Sequence, residues 1–84
     1  MLFSFFALDK EGGLELRKET RPAHLEHLAA AASFNLRIVA GSPMMNEQGD
    51  MIGSLVVVDA DNRADVETFF EKDPYNQVGL FASK

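Results

Sequence analysis

Two stretches far apart in this chain carry residue types suited to proton transfer, Arg21-Pro22-Ala23-His24-Leu25 and Asp73-Pro74-Tyr75. An imidazole ordinarily titrates near pH ~6.5, and one oriented by a carboxylate is the commonest general acid/base a protein can assemble. If folding brings His24 and Asp73 together, the pair has the makings of a small acid/base site. Each residue also has a plainer reading. Taken alone, His24 reads more readily as a helix-surface or partly buried histidine satisfied by a backbone group, and Asp73 as the aspartate of an Asp-Pro turn after a helix. Helical geometry favours His24 as a cleft residue. At about 100° per residue it lies on the side of Leu28, at the margin of an apolar stripe, where a ring is half desolvated and still within reach of a cleft. His27 falls on the wet side and is expected at the surface. The two histidines, three residues apart, lack a thiolate and a third ligand, so no metal is expected. Tyr75, the only tyrosine, reads equally as a core ring with a solvated hydroxyl or as a ligand contact. Ser54 reads first as an ordinary strand hydroxyl. Gly12-Gly13 is a turn, since no Lys-Ser/Thr and no nucleotide fingerprint follows it.

The elements that must position these residues follow from pattern. Residues 2 to 8, rich in Phe and Leu and bounded by Asp-Lys-Glu-Gly-Gly, predict a first strand. Leu14 to Lys18 has room for a helical turn. Because Pro22 costs a hydrogen bond inside a helix, the main helix is expected to begin around it, with Thr20 as cap and Leu25, Leu28, Ala29 and Ala32 as its apolar stripe. Asn35 is its expected stop. Leu36 to Ala40 predicts a second strand, Gly41-Ser42-Pro43 the start of a long loop through Asn46, Gly49 and Asp50, and Ile52 to Asp59 a third strand in an antiparallel hairpin. The Met44-Met45 pair of that loop is expected to pack against a dimer partner or line an adaptable pocket. Asp61 or Asn62 can cap a second helix, Ala64 to Glu71, with Val66, Phe69 and Phe70 as its buried face. Asp73-Pro74 is expected to end that helix, and Val78 to Ala82 to form a fourth strand.

The resulting order, βαββαβ, places both helices on one face of a four-stranded antiparallel sheet, because crossover connections are right-handed. Yet Phe3 and Phe5 on one side of strand 1 face Leu2, Phe6 and Leu8 on the other, and strand 3 repeats this with Leu55/Val57 against Val56/Val58. Both sheet faces are apolar. A second sheet is expected on the bare one, giving a face-to-face homodimer with two-fold symmetry.

Composition sets the outer bounds. The 84 residues allow one domain, residues 1 to 84, and a domain this small buries only about 60% of its unfolded surface. Cysteine is absent, so oligomerisation is the remaining route to a thicker core. Thirteen acidic against eight basic residues, net charge −5, with no basic run, argue against nucleic acid. The apolar opening lacks a basic n-region and falls short of the roughly 18 residues of a membrane span. A cytoplasmic, membrane-free location is the expectation.

Arg21-Pro22-Ala23-His24-Leu25, Ala40-Gly41-Ser42-Pro43, Gly53-Ser54, Asp73-Pro74-Tyr75 and Gly79-Leu80, in this order and spacing, resemble the YciI-related family. The resemblance spans nearly the whole chain, and its specific parts are the His and Asp-Pro-Tyr segments. It departs in the Met44-Met45-Asn46-Glu47-Gln48 loop and in stopping at Lys84, where relatives usually continue. The resemblance implies a ferredoxin-like fold dimerising into an α+β barrel, similar to muconolactone isomerases, with a His-Asp dyad in a cleft beside the sheet. By position, His24 and Asp73 would be the dyad, Ser54 an assisting hydroxyl, and Arg21, Pro43 and Tyr75 contacts to a small-molecule substrate. The family includes a dehydrochlorinase of chlorinated hydroxyhydroquinone, which implies cofactor-independent acid/base chemistry on a small hydroxylated aromatic. A non-catalytic metabolite-binding dimer and a lactone isomerase are the alternatives.

Overall fold

The computed structural model describes residues 1–83. It contains β1 (Leu2–Asp9), α1 (Leu14–Ala29), a 3₁₀ turn (Ala31–Phe34), β2 (Leu36–Met45), β3 (Met51–Ala60), α2 (Arg63–Glu71), α3 (Pro74–Gln77) and β4 (Phe81–Ser83). The four strands form one antiparallel sheet in the order β2-β3-β1-β4, the ferredoxin-like arrangement expected from the βαββαβ order. Alternation along β3 puts Ser54, Val56 and Val58 on the helix-covered face and Leu55 and Val57 on the other. Beneath the helices, Val56, Val58, Val66, Phe69, Phe70, Leu36 and Ala31 form the buried core, with Phe5 of β1 stacked on Phe70 of α2 at a centroid distance of 4.0 Å. On the opposite face Leu2, Phe6, Leu8 and Leu55 remain 64%, 51%, 38% and 41% exposed.

The first helix differs from expectation. It begins at Leu14 after Gly13 and runs unbroken through Pro22, so Thr20 is an interior residue and not its cap. Proline in a helix interior costs about 3 kcal/mol, and here that cost is borne by a helix anchored on both sides of it, at Arg17 and His24, its two buried residues. The apolar stripe is also displaced. Leu25, Ala29 and Ala32 are exposed and Leu28 is half-buried, because the inward face of α1 is polar and holds the site. The helix itself ends at Ala29, and Asn35, the expected stop, closes the following 3₁₀ turn instead, in the left-handed conformation at φ 62°.

The second strand runs past Ala40 to Met45, so Gly41-Ser42-Pro43 and Met44-Met45 lie in β2, not in a loop. Pro43 is tolerated because β2 is a sheet edge, where a missing ladder donor matters least. The loop shrinks to residues 46–50, with the Asn46 side chain accepting from the Gln48 and Asp50 backbone N–H groups at 3.0 and 2.9 Å. Asn62 caps α2 by accepting from Asp65 N–H at 2.9 Å. The Asp73-Pro74 segment does not merely end α2. It opens a further short helix, α3, whose Pro74 occupies the first turn, and this delays β4 to Phe81. His27 is not on the wet side. Its Nε2–H donates to the Phe69 carbonyl at 2.7 Å and its ring stacks on Phe69 at 4.3 Å, tying α1 to α2.

Candidate active site

The unbroken α1 sets Arg17, Arg21 and His24 at spacings of four and three, so all three side chains leave the same face of the helix. That face looks toward α3 and the start of β3. Asp73 sits at the N-terminus of α3, its side chain accepting from Tyr75 N–H at 2.9 Å. The same carboxylate lies 2.9 Å from His24 Nδ1 through each of its oxygens. An ionised carboxylate can only accept, so a ring proton sits on Nδ1, and in the neutral imidazole this leaves the lone pair on Nε2. His24 and Asp73 are both buried, and His24 is stacked on Tyr75 at 4.0 Å.

A second polar cluster abuts the first. Arg17 donates from Nε to Asp9 Oδ2 at 2.6 Å and from Nη2 to Asp9 Oδ1 at 2.8 Å. Its Nη2 also donates to Ser54 Oγ at 2.8 Å, and its guanidinium carbon lies 4.5 Å from the Tyr75 ring centroid. Burial is the largest influence on Arg17 and pulls its pKa down, but Asp9 and Tyr75 outweigh it and hold the pKa above its ordinary value. Tyr75 is pushed up by burial and, secondarily, by Asp73, against opposing pulls from Arg17 and Arg21. The phenol therefore stays protonated.

Arg17, Arg21, His24, Leu28, Ser54 and Tyr75, with the Gly41–Pro43 segment of β2, line a cavity of about 100 Å³. Of the residues singled out from the sequence, His24, Arg21, Pro43, Ser54 and Tyr75 reach this cavity, and Asp73 stands behind His24. Arg17 and Asp9 are the residues that sequence reading overlooks. In Leu14-Glu15-Leu16-Arg17-Lys18-Glu19-Thr20 an arginine among charges reads as solvated, and only a helix continuous through Pro22 reveals its register with His24. The two histidines are committed to different partners, Asp73 and the Phe69 carbonyl. Among the described residues no three His, Cys, Asp or Glu side chains gather as a metal set. A larger groove of about 500 Å³ lies between β1 and α2. Phe3, Phe5, Phe6, Val66 and Phe70 dominate its lining, and its Arg63 and Glu67 are paired with each other at 2.9 Å. Volume points there, whereas convergent ionisable groups point to the smaller cavity.

Comparison with known proteins agrees with this architecture. The chain is 28% identical to Protein YciI of Escherichia coli O6:H1 and of Shigella flexneri, over 96% of its length and 88% of theirs. Among solved structures it superposes with a TM-score of 0.88 and 32% identity on 5-chloro-2-hydroxyhydroquinone dehydrochlorinase (TftG) from Burkholderia phenoliruptrix AC1100, in complex with 2,5-dihydroxybenzoquinone. That match covers 99% of this chain and 87% of the other. The YCII-related domain family matches residues 1–84, and the chain belongs to it.

Proposed function

We propose that this protein is a cofactor-independent acid/base enzyme acting on a small hydroxylated aromatic, with dehydrochlorination of a chlorinated hydroxyhydroquinone as its reaction. The observation that carries the proposal is the imidazole of His24, held through Nδ1 by Asp73 at 2.9 Å, with Nε2 unpartnered among the described residues beside a small cavity. In the reaction one ring hydroxyl becomes a carbonyl as the chlorine-bearing carbon takes up a proton. His24 Nε2 then removes the proton of a second hydroxyl. Its O–H electron pair becomes a C=O bond, the ring electrons shift, and the C–Cl bond breaks to release chloride and a hydroxyquinone. The overall change is loss of HCl, so the balance needs no external oxidant. Asp73 fixes the tautomer and stabilises the imidazolium as it forms. Arg21, Pro43 and Tyr75 hold the ring, and Ser54 holds a ring oxygen. The likeness to the dehydrochlorinase TftG supports this substrate class.

Replacing His24 with Ala is expected to lower chloride release from 5-chloro-2-hydroxyhydroquinone by ~10² to 10⁴-fold in a mutant that still folds. Unchanged turnover in that mutant would remove the mechanism. Tight binding of the aromatic by the wild-type protein without chemical change would instead establish a binding module.

The bare sheet face supports a second proposal, a homodimer packed through it. Leu2, Phe6, Leu8 and Leu55 expose large apolar side chains on one face, of the kind small monomers seldom leave in water, and an identical copy supplies a matching surface across a two-fold axis.

A further inference from the structure

We infer that Arg17, clamped by Asp9, is a positioning residue that makes the Ser54 hydroxyl a fixed hydrogen-bond donor to a negatively charged oxygen of the bound molecule. This deepens the reading of the same cavity as a substrate site, and it assigns work to two residues that the acid/base reading does not use.

Arg17 is 2% exposed, and the Asp9 side chain 5%. A buried ion pair of this kind is weak evidence for stability, since apolar side chains of similar volume fill such a space at least as well. Its geometry offers a different use. The guanidinium grips Asp9 through Nε and Nη2, which fixes its plane, and the same Nη2 then donates to Ser54 Oγ at 2.8 Å. A serine hydroxyl has one hydrogen and two acceptor lone pairs, and arginine can only donate. The hydroxyl hydrogen must therefore go elsewhere. No acceptor for it stands among the described residues, and Ser54 lines the cavity, so the hydrogen is left for the occupant. A cation donating to the hydroxyl oxygen strengthens that hydroxyl as a donor.

Local charge selects what the hydroxyl meets. Arg17 is offset by Asp9, and the Asp73 carboxylate lies behind His24 and not on the lining, so Arg21, which lines the cavity without an ion-pair partner among the described residues, is the unpaired charge nearest the occupant. The chain as a whole has a net charge of −5. An anion is thus favoured by the cavity wall and not by the protein's overall field. The ligand class is a planar ring with an ionised oxygen, a phenolate, an enolate or the oxygen of an ionised hydroxyquinone.

The test uses 2,5-dihydroxybenzoquinone, a vinylogous acid that is anionic at neutral pH, in calorimetric titrations of the wild type, Ser54→Ala, Arg17→Lys and the double variant. Each fold is checked by circular dichroism and thermal melting. Lysine keeps the charge but lacks the planar fork. Each single change is expected to weaken binding by ~10-fold, about the worth of one charge-assisted hydrogen bond. Because Arg17 acts through Ser54, Arg17→Lys should change affinity by less than about twofold once Ser54 is Ala. A merely structural arginine would cost the same factor in both backgrounds, and that result overturns the inference. So does a wild-type protein that fails to bind the anion, or single variants that bind as well as wild type. Should Arg17→Lys not fold, Asp9→Glu displaces the clamp by one methylene and is expected to show the same non-additivity. Binding with this pattern but without chloride release would remove the dehydrochlorinase reading and leave the inference standing.

Discussion

Asp73 shows how one side chain serves two ends at once. Its turn-forming role and its role beside His24 compete as readings of the sequence, yet one carboxylate does both, capping α3 through Tyr75 N–H and holding His24 Nδ1. The cap fixes the carboxylate so that the imidazole it holds is fixed too. Tyr75 follows from the same turn, and its ring lies against both His24 and Arg17. As the only tyrosine in a chain without tryptophan, it can be titrated cleanly by its phenolate absorbance. Burial raises its pKa in the fold, whereas the unfolded chain ionises near pH ~10. Stability linked to this group is therefore intact below pH ~10 and declines as pH climbs from there toward the higher native value, because the unfolded chain releases its proton first. The native midpoint is expected above that measured in denaturant, and equal midpoints would contradict the burial argument.

At the scale of elements, the hairpin, the Asn62 region as the start of α2, and the strand cores of β1 and β3 were legible because period-two alternation and turn residues are local signals. The start of α1 was not. Local chemistry put it at Pro22, and the tertiary anchors at Arg17 and His24 overrode that preference. The polar inner face of α1 likewise defeated the apolar stripe, since a helix that buries an arginine and a histidine places its leucines elsewhere. In β3 the demand on Gly53 is steric. A Cβ there would lie 2.5 Å from the Ala7 carbonyl oxygen and 2.6 Å from Met44 Cε. The methionine tip can move, but the β1 backbone cannot without shifting the sheet. Gly53→Ala is expected to destabilise the fold by about 1–3 kcal/mol, read as a lower denaturant midpoint. Since Ser54 follows it directly, the cavity should be disturbed as well.

At the scale of the molecule, the sheet has one face under helices and one in water, and both are apolar. The uncovered face is the part of this protein that calls for another surface. Leu55→Glu, on that face, buries an unpaired charge in any sheet-to-sheet contact, so it is expected to convert the proposed dimer to monomer in sedimentation analysis while leaving the folded chain intact. A wild-type protein that sediments as a monomer at every accessible concentration would remove the dimer proposal. No helix among the described residues is long and apolar enough to cross a membrane.

By itself the sequence determined the order of the four strands and the two long helices, the two apolar faces of the sheet and the identity of the His24 and Asp73 segments, because alternation, turn chemistry and residue type are properties of neighbours along the chain. Only the tertiary structure decided that α1 passes through Pro22, that His27 braces α2, and that Asp9, Arg17 and Ser54 join Tyr75 beside the imidazole. Those outcomes depend on which buried polar groups find partners across the fold. Most such partners lie dozens of residues apart, 49 between His24 and Asp73 and 37 between Arg17 and Ser54, beyond the reach of any local pattern, and even Asp9 and Arg17, eight apart, meet only across the turn that joins β1 to α1.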